Sequence, residues 1–168
     1  MNNPKEQFSL IYDQYIEKIY RFVYVKVNSR EVAEDVTSKV FLNGWQAYQK
    51  NQDIKNPGAF LYQIARNAVV DHYREKGRTK VTYVEDLFYT PDTAKNPYEK
   101  AIVNADAELT ISALGNLKKE YQDVLIWYYL EDMSTEQIAV LANKSIGNVR
   151  VMIHRGLEAL RNEIKEQV

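Results

Sequence analysis

The sequence predicts an all-α fold of two small helical domains joined by a flexible linker. Two observations carry that expectation. Apolar residues recur at three- and four-residue steps from about Glu6 to Gly77, and again from Tyr98 to the end of the 168-residue chain. Between them, Arg78 to Pro97 has no sustained period but holds Thr90-Pro91-Asp92 and Asn96-Pro97, which are turn signals. The expected boundaries are therefore 1–77, 78–97 and 98–168.

In the first block, Phe8, Ile11, Tyr12, Tyr15, Ile19, Phe22 and Val23 mark an amphipathic helix. Asn28-Ser29 ends it, and Ser29 can cap a second helix with Val32, Val36, Val40, Phe41 and Trp45 inward. Lys50 to Asn56 reads as a polar loop. Pro57 suits the first turn of a third helix, where its missing N–H is no loss. Phe60, Leu61, Ile64, Ala65, Ala68 and Val69 give that helix its apolar side, and Gly77 is the expected stop. In the second block, Lys118 to Leu130 reads as one helix with Tyr121, Leu125 and Tyr128-Tyr129 as core. Short local structure around Val84 to Tyr89 has no strong signal either way.

The last stretch, Met133 to Arg161, reads as two helices around a tight turn. Ser134 can cap the first, with Gln137 three residues on as a capping-box partner. Ile138, Ala139 and Leu141 form its buried side. Ala142-Asn143-Lys144 makes the turn, and Asn143 tolerates left-handed backbone. Ser145 caps the second helix, which buries Val149, Ile153, Gly156, Leu157 and Leu160. Its outer side offers Asn148, Arg150, Val151, His154, Arg155 and Arg161. That pattern favours a helix-turn-helix entering a DNA major groove over the alternative, a plain helical hairpin with a solvated basic face.

Composition narrows the function classes. No cysteine is present, which excludes disulfides, thiolate metal sites and cysteine nucleophiles. No apolar run approaches membrane-spanning length, and the N-terminal MNNPKEQF lacks a signal-peptide core, so no stable membrane insertion and a cytoplasmic location are expected. No P-loop, H-E-x-x-H or nucleophile–base pattern appears, so neither an enzyme nor a bound cofactor or metal is expected. Net charge is −1, but it is uneven: +4 over Lys55–Lys80, −4 over Glu85–Glu108 and +3 over Lys144–Arg161. Two basic stretches around an acidic connector suit two nucleic-acid contacts.

On the third helix, Gln63, Asn67, Asp71 and Arg74 share one polar stripe beside the apolar side. Amide, carboxylate and guanidinium groups together can read base edges and grip a phosphate. The same stripe also suits a solvated face carrying an Asp71–Arg74 ion pair.

Three segments carry a family resemblance. Ala33-Glu34-Asp35-Val36 with Phe41-Leu42 and Trp45, the run Asn56 to Asn67 followed by Asp71-His72-Tyr73-Arg74, and Met133 to Arg161 resemble, in order and spacing, motifs of bacterial RNA polymerase sigma factors. The two-block layout is similar to the extracytoplasmic-function (ECF) group, which keeps the second and fourth sigma regions. The resemblance implies that 1–77 is region 2 and 98–168 is region 4. It implies that Gln63, Asn67, Asp71 and Arg74 meet the minus-ten element, with a flipped base held near 51–56. It places Ser145, Asn148, Arg150, Val151, His154 and Arg155 at the minus-thirty-five element. Asp35, Ser38, Lys39 and Leu42 would dock on the clamp helices of the largest subunit of core RNA polymerase. Contact with the flap of the second subunit and inhibition by an anti-sigma factor are also implied. Two departures stand out: Ser38-Lys39 replaces the family's usual Gln-Glu, and Val151-Met152 replaces a Ser-Arg or Ser-Lys pair. The residues themselves leave a second reading open, a stand-alone helix-turn-helix regulator whose first block senses a ligand or dimerises.

Overall fold

The computed structural model describes residues 3–78 and 107–167, and every regular element among them is helical. They fall into two compact units, one within 1–87 and the other within 88–168. The expected linker, apart from Arg78, and the short structure considered around Val84 lie outside the described residues, as do residues 98–106 of the second block.

The first unit is three helices, each packed on the other two. Helix α1 (Pro4–Val27) opens with Asn3, whose side chain accepts from the Lys5 N–H at 3.1 Å, and Pro4 sits in its first turn. It ends at Asn28 in left-handed backbone, with the Asn28 N–H on the Tyr24 carbonyl at 2.8 Å. Helix α2 (Arg30–Lys50) follows at once, capped by Ser29. Helix α3 (Pro57–Arg78) is capped by Asn56, whose Oδ1 accepts from the Ala59 N–H at 3.0 Å. It passes through Gly77 without a left-handed residue there, so Gly77 is not the stop that its position suggests.

The core of this unit is Phe8, Ile19, Phe22 and Val23 from α1, Val36, Val40 and Phe41 from α2, and Leu61, Tyr62, Ala65 and Val69 from α3. Fully burying a side chain of this size contributes about 1.5–3 kcal/mol. Tyr62 lies outside the apolar side read from the sequence, yet it is fully buried with its ring edge-on to Phe22 at 5.2 Å. Ala33, Thr37, Gly44 and Tyr48 widen the buried face of α2, while Trp45 is only half-buried. Gly44 lets α3 approach: a Cβ there would lie 3.2 Å from Leu61 Cδ2. Tyr73 donates its hydroxyl to the Lys26 carbonyl, tying α3 to the last turn of α1, and burial raises its phenol pKa.

The second unit begins with α4, described over 107–115, then α5 (Lys119–Leu125), α6 (Thr135–Ala142) and α7 (Ile146–Gln167). The buried Gln122 side chain joins the first two helices. Its Nε2 donates to the carbonyls of Leu114 (2.9 Å), Leu117 (3.1 Å) and Gly115 (3.2 Å), which lie at the C-terminal end of α4 and in the turn after it.

After α5 the chain does not continue as ordinary α-helix. Through Ile126–Leu130 it widens to a π-turn, in which the Glu131 N–H bonds the carbonyl five residues back, Ile126, at 3.1 Å. This corrects the expected core. Val124 and Leu125 of α5 and Ile126 and Trp127 at the start of the wide turn are buried, while Tyr128 and Tyr129, which the inserted residue takes out of α-helical register, face solvent. Ile138 and Leu141 of α6 and Val149, Met152 and Gly156 of α7 complete the core. Ile153, Leu157 and Leu160 are half-buried. Helix α7 crosses α5 closely at Gly156, where a Cβ would lie 3.3 Å from that of Tyr121. Among the described residues no helix is long and apolar enough to cross a membrane.

Candidate nucleic-acid interface

The helix-turn-helix forms as its local chemistry dictates. Ser134 Oγ accepts from the Gln137 N–H at 3.1 Å, and Gln137 Oε1 accepts from the Ser134 N–H at 2.9 Å, closing a reciprocal capping box. Asn143 takes left-handed backbone with φ 54° and ψ 47°. Ser145 Oγ then accepts from the Asn148 N–H at 3.1 Å at the head of α7. The cap uses one lone pair of the Ser145 oxygen, which leaves its O–H donor and a second lone pair for a ligand.

Asn148, Arg150, Val151, His154 and Arg155 are all exposed on α7, together with Ser145 just before it. Arg150 also acts back on α6. The Glu136 carboxylate is held below the usual range chiefly by its own backbone N–H at the helix start, helped by the Thr135 and Ser134 hydroxyls and by Arg150. The Val151-Met152 pair divides. Val151 points to solvent, whereas Met152 is buried against the core, a role the sequence pattern did not assign to it.

On α3, Gln63, Asn67, Asp71 and Arg74 are exposed together. Gln63 Nε2 donates to Asn67 Oδ1 at 3.3 Å, and the Arg66 guanidinium donates to Gln63 Oε1 at 2.9 Å. Arg66 is therefore part of this stripe, although its spacing alone did not single it out. Asp71 and Arg74 approach to 4.0 Å with both side chains mostly in water. Such a pair contributes ~0–1 kcal/mol and is open to exchange for another partner. The loop before α3 is largely exposed and shaped by Asn51, whose Oδ1 accepts from the Asp53 N–H at 3.0 Å.

On α2, Asp35, Ser38, Lys39 and Leu42 form a continuous exposed strip. Lys39 pairs with Asp35 at 3.4 Å, Ser38 Oγ donates back to the Glu34 carbonyl at 2.9 Å, and Leu42 is 56% exposed. His72 of α3 feels this strip. Its pKa is lowered by burial first and Lys76 next, with Glu75 opposing, Lys39 lowering it further and Asp35 opposing. The fold thus brings His72 into electrostatic reach of α2, a proximity that sequence spacing could not reveal because it crosses between helices.

Known proteins resemble this chain in sequence and fold. The profile of Sigma-70 region 2 matches residues 11–79, and that of Sigma-70, region 4 matches residues 107–160. The chain is similar to the ECF RNA polymerase sigma factor SigL of Mycobacterium tuberculosis, at 30% identity over 93% of this chain and 88% of SigL. It is also similar to SigW of Bacillus subtilis, at 28% identity over 96% of this chain and 91% of SigW. With BldN of Streptomyces coelicolor it shares 27% identity over 92% of its own residues, but spans only 59% of BldN. Among solved structures, its fold is similar to that of CnrH in complex with the cytosolic domain of CnrY, with TM-score 0.66 and 18% identity over 98% of this chain and 91% of that one. It is similar as well to the sigma factor RpoE in complex with the anti-sigma factor NepR from Bartonella quintana, with TM-score 0.64 and 20% identity over 96% of both chains.

Proposed function

The chain belongs to the ECF RNA polymerase sigma factors, and from that premise we propose how its two units divide the work of promoter-specific transcription initiation. Residues 1–77 act as region 2, which docks on polymerase and opens the promoter. Residues 98–168 act as region 4, which reads the upstream element, and 78–97 link them. The observation that carries this reading is the capped helix-turn-helix with Asn148, Arg150, His154 and Arg155 on its solvent side. Family membership favours this reading over a stand-alone regulator.

In region 4, Arg155 and Arg150 contact guanine edges or phosphates, and Asn148 and His154 offer further donors and acceptors. Ser145 donates its hydroxyl to a phosphate, and Val151 faces the bases. In region 2, Gln63, Asn67, Asp71 and Arg74 meet the minus-ten strand as it opens. Asp71 accepts from a base amino group, and an extruded base rests by the 51–56 loop. Asp35, Ser38, Lys39 and Leu42 dock on the clamp helices of the polymerase largest subunit, and region 4 contacts the flap of the second subunit. Lys39 brings a positive charge to a docking position where an acidic residue is usual, so the polymerase surface it meets should be acidic or neutral there. An anti-sigma factor is the expected inhibitor, and action with polymerase places the protein in the cytoplasm.

Run-off transcription with purified core RNA polymerase tests the proposal. Specific starts that require this protein and no other sigma factor are expected. Tight, specific DNA binding by the protein alone, with no transcription on adding core polymerase, would instead favour the regulator.

A further inference from the structure

Helix α7 exposes two large apolar side chains, Ile146 at its first residue and Val151 in the middle of its polar face. Val151 is 44% exposed. At 3.6 residues per turn, it stands about 160° around α7 from Val149 and Ile153 and about 100° from the buried Met152, on the solvent side of the helix. Its surroundings are polar: Asn148, His154 and Arg155 lie within about 60° of it on the helix face. One turn earlier is Gly147, where a Cβ would meet nothing within 4 Å, so the helix surface beside Val151 is bare. A β-branched side chain in a helix holds essentially one rotamer, so the two Val151 methyl groups are fixed in direction before anything binds.

We infer that Val151 is a specificity-determining residue that reads the C5 methyl group of a thymine in the upstream element, by apolar contact in the major groove. Thymine is the base that presents a methyl group on that edge, and the flanking Arg155 and Asn148 can bracket it with hydrogen bonds to neighbouring bases. The bare surface at Gly147 lets the base edge come close. Met152, the other member of the unusual pair, is buried and plays no part in this contact. The inference rests on the promoter-reading role of α7 proposed above.

The test uses the full chain bound to core RNA polymerase. A duplex is first selected by this holoenzyme from a library randomised over the upstream element. It is then resynthesised with deoxyuridine in place of each thymine in turn, which removes the methyl group and keeps the base pair. At one thymine, methyl removal should weaken wild-type holoenzyme binding about fourfold, the worth of one buried methyl group. The same replacement should cost Val151→Ala less than twofold. In a Trp45→Phe background, where Trp127 alone reports, fluorescence melting of the free protein should give Val151→Ala the Tm of its parent. A selected element without thymine, a deoxyuridine series with no effect, or equal losses in wild type and Val151→Ala would overturn the assignment. If scrambling the whole upstream element or Arg155→Ala also leaves binding unchanged, the promoter-reading role of α7 fails with it. If those changes do weaken binding, only the role of Val151 is lost.

Discussion

Replacing Gln122 with leucine should loosen the second unit without touching its solvent face. The amide has two hydrogens and three carbonyl acceptors in reach, so the bonds to Leu114 at 2.9 Å and Leu117 at 3.1 Å take the better geometry and Gly115 at 3.2 Å shares. Leucine fills a similar volume but removes both donors. The Leu114 carbonyl keeps the Leu117 N–H at 3.1 Å, and Gly115 lies where water can reach it. The Leu117 carbonyl is left with the largest deficit. Two net hydrogen bonds at about 1 kcal/mol each, plus one poorly satisfied carbonyl, less the gain from burying leucine, come to about 2 kcal/mol. For a unit of this size that lowers Tm by roughly 8–16 °C. The chain has one tryptophan in each unit, Trp45 and Trp127, so a Trp45→Phe background makes fluorescence melting report on the second unit alone. A Tm within about 3 °C of the parent, well short of that range, would refute the reasoning. Gln122→Glu sharpens the test, because it aims a carboxylate at the same carbonyls. Its folded pKa should be raised, so the pH-dependent part of its deficit grows as pH rises from the unfolded value of about 4.3 through the raised one and is absent below both, where the neutral acid still offers one O–H in place of two N–H donors.

Arg155→Ala should weaken binding of the upstream element by about 1–3 kcal/mol in holoenzyme gel-shift titrations, and unchanged affinity would remove Arg155 from the contact. Asn67→Ala or Asp71→Ala should leave upstream duplex binding intact but reduce strand opening, seen as weaker permanganate reactivity of unpaired thymines; footprints equal to wild type would contradict the assignment. The His72 ring should titrate in NMR below the usual imidazole value of about 6.5, because burial and Lys76 disfavour its charged form. The unfolded chain therefore binds this proton more tightly, and stability falls as pH drops from about 6.5 through the folded pKa. His72→Gln should flatten that part of a urea-midpoint profile against pH, and an unaltered slope would exclude His72 as the source.

The features legible in the sequence are those set by neighbours along the chain. The Ser134–Gln137 capping box, the left-handed Asn143, the Ser29 and Ser145 caps and Pro57 all depend on residues within one turn, and all form as expected. The exposed stripes on α2, α3 and α7 arise from helical period in the same way. Contacts decided between helices are not legible. Tyr62 is polar enough to read as a boundary residue, and only the Phe22 ring across the interface shows why it is buried. Arg66 joins the α3 stripe through a side-chain bond to Gln63 that periodicity does not encode. Met152 is drawn inward because α7 packs against two partners, α5 and α6, which widens its buried arc beyond a single stripe. Tyr128 and Tyr129 depart from expectation for a different reason: they lie in a turn that does not obey the 3.6-residue period.

That wide turn makes the segment between Trp127 and Ser134 sensitive to its length more than to its composition. Exposed side chains such as Tyr128 and Tyr129 can change with little effect on packing. Losing a single residue would close the turn to α-helical spacing and rotate the downstream chain by about 100°, carrying the start of α6 away from the position that α7 requires. Variation at 128–133 should therefore be rich in substitutions and poor in insertions and deletions, and a one-residue deletion there should abolish upstream recognition while leaving every exposed residue of α7 in the chain.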